Sequence, residues 1–227
     1  MRQLHTTLVI ILLSFSAKSQ TVYTSLTEAQ KSAHSVKILK LKGQGLTAAS
    51  SIVEQFPNLE ELDLSDNKLT VFPSSILQLK KLKVLRLTNN KITSIPVGIN
   101  KLVQLEELEL GFNVLGTLPK EFGGLKSLKR LVLQKNNLKT LPPEISGLSN
   151  LEIVDITYNP ITAIGGFISG WKKLKTLDVS FCKSLSSIAE GIKECYDLKL
   201  LNLRNTKISD STVQRLLYLV PDCKLLL

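Results

Sequence analysis

The sequence predicts an α/β solenoid, in which short units stack side by side with a parallel sheet on one face and short helices or turns on the other. Three observations predict it. Asn67, Asn90, Asn113, Asn136 and Asn159 recur every 23 residues. Each closes the same spacing of apolar residues. A unit of this length also carries too little apolar surface to offset the entropy of ordering its own backbone, so units must stack and pair strands with their neighbours.

The frame reads outward from the asparagines. With Leu59 as position one, Leu59, Leu62, Leu64 and Leu69 place apolar groups at positions one, four, six and eleven, and Asn67 falls at nine. The frame restarts at Leu82, Leu105, Leu128 and Leu151. A looser copy begins at Val36, with Gln44 in the asparagine slot. Two more follow from Leu174 and Leu198, with lengths of 24 and 25 and with Cys182 and Thr206 in that slot. This makes eight repeats, the outer ones atypical as capping units are. Apolar positions four and six alternate with mostly polar three, five and seven, the pattern of a strand with one buried face. Ile76 and Leu79, repeated at Ile99 and Leu102, are spaced i, i+3 and predict a helical turn on the opposite side.

The pattern L-x-x-L-x-L-x-x-N-x-L resembles the leucine-rich repeat from Val36 to the C-terminus. The second half of each central unit, L-P-x-x-[IF]-x-x-L, as from Leu118-Pro119 through Phe122 to Leu125, is similar to the 23-residue typical class, of which Ras-suppressor-like proteins are cytosolic examples. The resemblance implies a right-handed curved leucine-rich-repeat solenoid with its sheet on the concave face. It also implies that the asparagine amides sit inside the bend and satisfy backbone groups there. Trp171 shares the register of Leu102, Leu125 and Leu148 and is expected in the core. Pro73, Pro96, Pro119 and Pro142 punctuate the turn leaving the strand; Gly165 replaces them in the next unit, and Gly166 beside it suggests a looser convex edge.

The ends predict caps and a compartment. Arg2 and His5 precede the apolar run Leu8 to Leu13, and Ala17-Lys18-Ser19 supplies small residues before Gln20, so residues 1–19 read as a secretory signal peptide cut near Ser19/Gln20. The run is far short of the roughly 20 residues needed to cross a bilayer. Residues 20–35 form a helical cap in which Ser25 and Glu28 have capping-box spacing before a helix from about Thr27 to Ala33. Residues 36–222 hold the eight repeats, the last two irregular. Val213, Leu216, Leu217 and Val220 then pattern a terminal helix, and 223–227 read as an edge strand. This ending resembles the cysteine-containing class of the superfamily, and the whole layout resembles its small secreted bacterial members. Such a protein is expected to be secreted, periplasmic or at the cell surface.

Charge is arranged rather than merely abundant. The chain carries 29 basic and 19 acidic residues; losing Arg2 and Lys18 with the signal leaves 27 basic residues and a net +8. Position two runs Lys37, Glu60, Lys83, Glu106, Lys129, Glu152, Lys175 and Lys199, alternating through seven repeats. Adjacent strands lie about 4.8 Å apart, so alternation builds ladders of opposite charge and penalises a one-repeat slip. A continuous basic stripe for nucleic acid is not found. Surplus lysines such as Lys80, Lys81, Lys172, Lys173 and Lys183 fall on turns, where they offer a weak attraction to anionic glycan or lipid.

Recognition is left to positions the ladder does not use. Position eight carries Phe112, Tyr158 and Phe181; position three carries Val84, Arg130, Ile153 and Leu200; position five contributes Val132. Aromatic residues and arginine are the commonest interface anchors, which makes these the candidate binding surface. Of three cysteines, Cys182 takes an asparagine slot, and Cys195 with Cys223 is the one pair open to a disulfide. After signal removal His34 is the only histidine, and no phosphate loop, H-E-x-x-H or calcium loop occurs, so neither catalysis nor a cofactor or metal is expected. The chain reads as a non-enzymatic protein-interaction module that binds a macromolecule, another protein first, on the concave face. The alternatives are a binder of anionic glycan or lipopolysaccharide and a host-directed effector scaffold.

Overall fold

The computed structural model describes residues 21–49 and 53–227; the expected signal peptide lies outside them. Each repeat contributes one three-residue strand at positions three to five. These are β2 (Ile38–Lys40), β3 (Glu61–Asp63), β4 (Val84–Arg86), β5 (Glu107–Glu109), β6 (Arg130–Val132), β7 (Ile153–Asp155), β9 (Thr176–Asp178) and β11 (Leu200–Asn202). With β1 (Val22–Tyr23) and β12 (Lys224–Leu226) at the edges, they form one ten-stranded parallel sheet on the concave face of the solenoid. Register is strict. Leu62, Leu85, Leu108, Leu131, Val154, Leu177 and Leu201 face one another in adjacent strands, and all are fully buried.

The core is the same set of residues in each unit. Leu59, Leu62, Leu64, Leu69, Phe72, Ile76 and Leu79 are buried, as are their equivalents in the five repeats from Leu82 to Cys195; in the last repeat Ile208 is only partly buried. Trp171 fills its expected core register, and its Nε1–H donates to Ile145 O at 2.9 Å, so the indole is polar-satisfied as well as buried. On the convex face the i, i+3 spacing produces single 3-10 turns, as at Ser74–Gln78, Val97–Lys101, Lys120–Gly124 and Pro143–Gly147, each following a proline at its N-cap. Five residues between that proline and the next core leucine leave room for one tight turn and no more.

The asparagines form a spine between repeats. Asn90 Nδ2 donates to Leu87 O in its own unit at 3.1 Å and to Leu64 O in the preceding one at 3.0 Å, while its Oδ1 accepts from Leu69 N at 3.0 Å. Asn67, Asn113, Asn136 and Asn159 repeat this pattern. Cys182 keeps one strand of it, donating from Sγ to Ile156 O.

Several local expectations are corrected. The N-terminal helix is shorter, Leu26–Gln30, and Ser25 makes no side-chain cap bond; Glu28 pairs with Lys31 instead, at 2.7 Å. A helix of barely one turn leaves the glutamate closer to that lysine than to the cap amide. The segment at Gly165–Gly166 is not simply looser: β8 (Ala163–Ile164) and β10 (Ser187–Ile188) pair there as a second, two-stranded parallel sheet. The terminal helix α2 (Asp210–Leu219) buries Val213 and Leu216 but leaves Leu217 exposed, and Ser209 caps it by accepting from Thr212 N. All three cysteines are free and buried, so Cys195 and Cys223 are not bridged. Burial pushes the Cys195 thiol up to about 12 and Cys223 to about 11, which keeps both protonated and unreactive.

Candidate binding surface

Position eight, three residues beyond each strand, has a positive φ in every repeat. Gly43, Asp66, Asn89 and Asn205 occupy it in four of them, residue types that tolerate the left-handed region well. The other four hold Phe112, Lys135, Tyr158 and Phe181 at φ of 50–59°. Their side chains form one ladder along the rim. Lys135 Nζ sits 4.6 Å from the centre of the Phe112 ring and 5.2 Å from that of Tyr158. Tyr158 stacks on Phe181 with centroids 4.4 Å apart and planes 4° from parallel. Phe112 is 38% exposed and Tyr158 45%.

The structure thus brings together the three rim aromatics expected from the sequence, and adds Lys135, which sequence reasoning missed. The signal was present, since Lys135 lies 23 residues from both Phe112 and Tyr158.

The five sheet residues separate. Ile153 and Leu200 are half-buried on β7 and β11, with Thr176 between them in register. Arg130 is tied down, its Nε 3.5 Å from Glu109 Oε1. Val84 lies on β4 between Glu61 and Glu107, apart from the others. Val132 is the exception to the expectation of an exposed contact: it is 4% exposed, a short side chain sunk between its register neighbours Glu109 and Asp155.

The N-terminal half of the face is occupied by ion pairs. Glu60 meets Lys37 at 2.7 Å and Lys83 at 2.8 Å, and their hydrogen bonds hold its carboxyl below the usual carboxylate range. Glu106–Lys129 and Glu152–Lys175 continue this row, both at 2.7 Å. One row further in, Arg86 Nη1 donates to Glu61 Oε1 at 2.6 Å and Nη2 to Glu107 Oε2 at 3.4 Å, with Glu109 Oε2 3.8 Å from Nε. Burial works against the Arg86 charge, yet Glu61, Glu109 and Glu107 outweigh it and raise its pKa. Arg86→Ala will therefore lower stability by about 1–2 kcal/mol at pH 7, because three neighbouring carboxylates lose their shared cation. The three carboxylates then repel one another close to solvent, so the loss shrinks as added salt screens them. Urea denaturation at low and at high ionic strength, both at pH 7, measures this; an equal loss at both would assign the effect to the arginine's aliphatic stem.

Most of the turn lysines are engaged locally, while Lys172 and Lys183 are exposed and form no such bond among the described residues. Lys80 donates to Leu77 O, Lys126 to Gly147 O, and Lys81 and Lys173 to the side-chain oxygens of Asn58 and Asn150. Among the described residues no helix is long and apolar enough to cross a membrane.

Comparison with known proteins agrees with this geometry. The Leucine rich repeat family model matches residues 34–92 and 57–115, and a model of Leucine Rich repeats (2 copies) matches 126–170. No curated protein matches the sequence. Among solved structures, a leucine-rich-repeat protein of Leptospira interrogans is 30% identical with a TM-score of 0.66, and the match covers 88% of this chain and 62% of that one. The PEPR1–AtPEP1 structure matches at 26% identity and a TM-score of 0.66, over 76% of this chain and 25% of the other. Internalin C2 from Listeria monocytogenes, 20% identical with a TM-score of 0.73, covers 87% and 82% and speaks for the fold alone. The chain spans less than two thirds of the length of the first two. With family models over more than half of its length and a parallel strand in every 23-residue unit, the chain belongs to the leucine-rich-repeat family.

Proposed function

We propose that this chain is a non-enzymatic binding protein that takes a protein partner across the C-terminal part of its concave face and the adjoining rim. Domains of the family generally mediate protein–protein interaction. One observation carries the placement. Phe112, Tyr158 and Phe181 are bulky side chains, the first two exposed and the third half-buried, in a backbone slot that neighbouring repeats fill with Gly43, Asp66, Asn89 and Asn205. An L-residue in that conformation costs on the order of 1 kcal/mol, and strain of this kind gathers at functional positions. The likeness to the PEPR1–AtPEP1 structure supports a binding role on this scaffold. The local hydrogen bonds of Lys80, Lys81 and Lys173 leave only part of the turn lysines for an anionic glycan, which supports a protein partner first. The N-terminal segment supports action outside the cytosol, and N-terminal sequencing of the exported protein tests this by finding Gln20 first.

The triple substitution Phe112→Asn, Tyr158→Asn and Phe181→Asn tests the surface. Asparagine suits the left-handed slot, so the variant will keep its fold and lose no more than about 1 kcal/mol from the ring stack. A partner identified by cross-linking to the wild type and lost from the variant supports the reading. Equal capture by both would move the site elsewhere.

A further inference from the structure

At the last residue of each strand, charges alternate in register from Lys40 through Asp63 and Arg86 to Glu109, and the alternation breaks at Asp155 and Asp178. In the N-terminal half Glu61, Glu107 and Glu109 each lie within 4 Å of an arginine or lysine. In the C-terminal half Asp155 and Asp178 are register partners on β7 and β9, and among the described residues neither forms an ion pair. Their hydrogen bonds are local: Asp155 Oδ1 accepts from Thr157 N, Asp178 Oδ1 from Ser180 N, and Asp178 Oδ2 from Asn202 Nδ2. Two carboxylates in register on strands about 4.8 Å apart repel each other, an arrangement that strand positions three and five avoid elsewhere on this face. Apolar groups flank the pair. Ile153 and Leu200 lie one row to one side, and the Tyr158–Phe181 stack lies at the rim on the other.

We infer that the occupant of this face is an extended segment of a partner protein with the pattern apolar–x–basic–x–apolar, its arginine or lysine seated between Asp155 and Asp178. The inference rests on the proposed binding surface and gives it a chemistry. Complementary charge selects the basic centre, and a guanidinium fork spans two neighbouring carboxylates where a single pair would not. Spacing selects the flanking residues. Ile153 and Asp155 are two residues apart on one face of a strand, about 6.6 Å, and an extended peptide repeats its same-side groups at that interval. The apolar group on the far side then reaches the edges of the rim aromatics.

The test is a selection of random heptapeptides displayed on phage against the full chain. Fluorescence anisotropy then follows a labelled copy of the most enriched peptide. Its targets are the wild type, Asp155→Asn/Asp178→Asn and Tyr158→Asn/Phe181→Asn. Asparagine keeps an acceptor for the Thr157 and Ser180 amides, so the first variant folds. The expected consensus has a basic residue between apolar ones, and the double aspartate variant weakens binding by about tenfold or more. Enrichment of acidic or uncharged peptides, absence of any enriched clone, or equal affinity for that variant overturns the inference. A peptide that ignores the aspartates but is lost from the rim variant overturns only the basic occupant. One that ignores both variants removes the surface as well.

Discussion

Replacing Asn113 by alanine will lower the stability of the chain by about 4 kcal/mol, because each buried backbone group left unpaired costs about 1–3 kcal/mol. Asn113 is 6% exposed. Its Oδ1 accepts from Ile92 N at 2.9 Å, and its Nδ2 donates to Leu110 O in its own repeat and to Leu87 O in the one before, both at 3.0 Å. Alanine removes these bonds, and a longer one from Nδ2 to Gly111 O at 3.3 Å, in a place water does not reach. The damage spreads, since in a stacked array the interface between units supplies what no unit has alone. Asn113→Cys will fall between wild type and alanine, as Cys182 shows a thiol in this slot holding the inter-repeat bond alone. Urea denaturation followed by circular dichroism measures both, and a loss below about 1 kcal/mol for alanine would mean that the amide spine is not what joins the repeats.

Gly170→Ala is expected to cost about 3 kcal/mol through overpacking against backbone. A Cβ on Gly170 would lie 2.0 Å from Ser146 O, the carbonyl of the neighbouring convex turn. Gly123 meets Glu144 O at 1.9 Å in the same way, so these turns touch main chain to main chain. No rotamer relieves that contact; the two repeats must move apart. Substituting glycine also stiffens the unfolded chain, worth about 0.4–1 kcal/mol in the opposite direction, and the overlap outweighs it. Gly116→Ala isolates that smaller effect, because nothing lies within 4 Å of its Cβ and the variant should be neutral or slightly stabilised. If Gly170→Ala unfolds at the same urea concentration as Gly116→Ala, the convex turns have slack that the geometry does not show.

What repeats along this chain is legible in its sequence, and what occurs once is not. The asparagines, the buried leucines, Trp171 and the alternating charges all recur at equivalent positions, so each could be assigned a row from its spacing. The ion pairs Glu60–Lys83, Glu106–Lys129 and Glu152–Lys175 are the direct result. The misplaced details are single events. The Ser25 cap, the β8–β10 pair and the exposed Leu217 each depend on one local competition that no second copy averages. The candidate surface was partly legible for the same reason: Phe112, Tyr158 and Phe181 share one row, whereas the depth of Val132 depends on the length of its neighbours.

The 23-residue period thus fixes the fold, the strand register, the rows that face outward and which residues are neighbours within a row, because every unit must repeat the contacts of the last. How closely those neighbours approach is settled only on folding. The stack of Tyr158 on Phe181, the depth of Val132 between Glu109 and Asp155, and the approach of Gly170 to Ser146 O are such cases. Each is a contact between different repeats, and its strength is set by a few ångströms of approach that spacing along the chain does not encode.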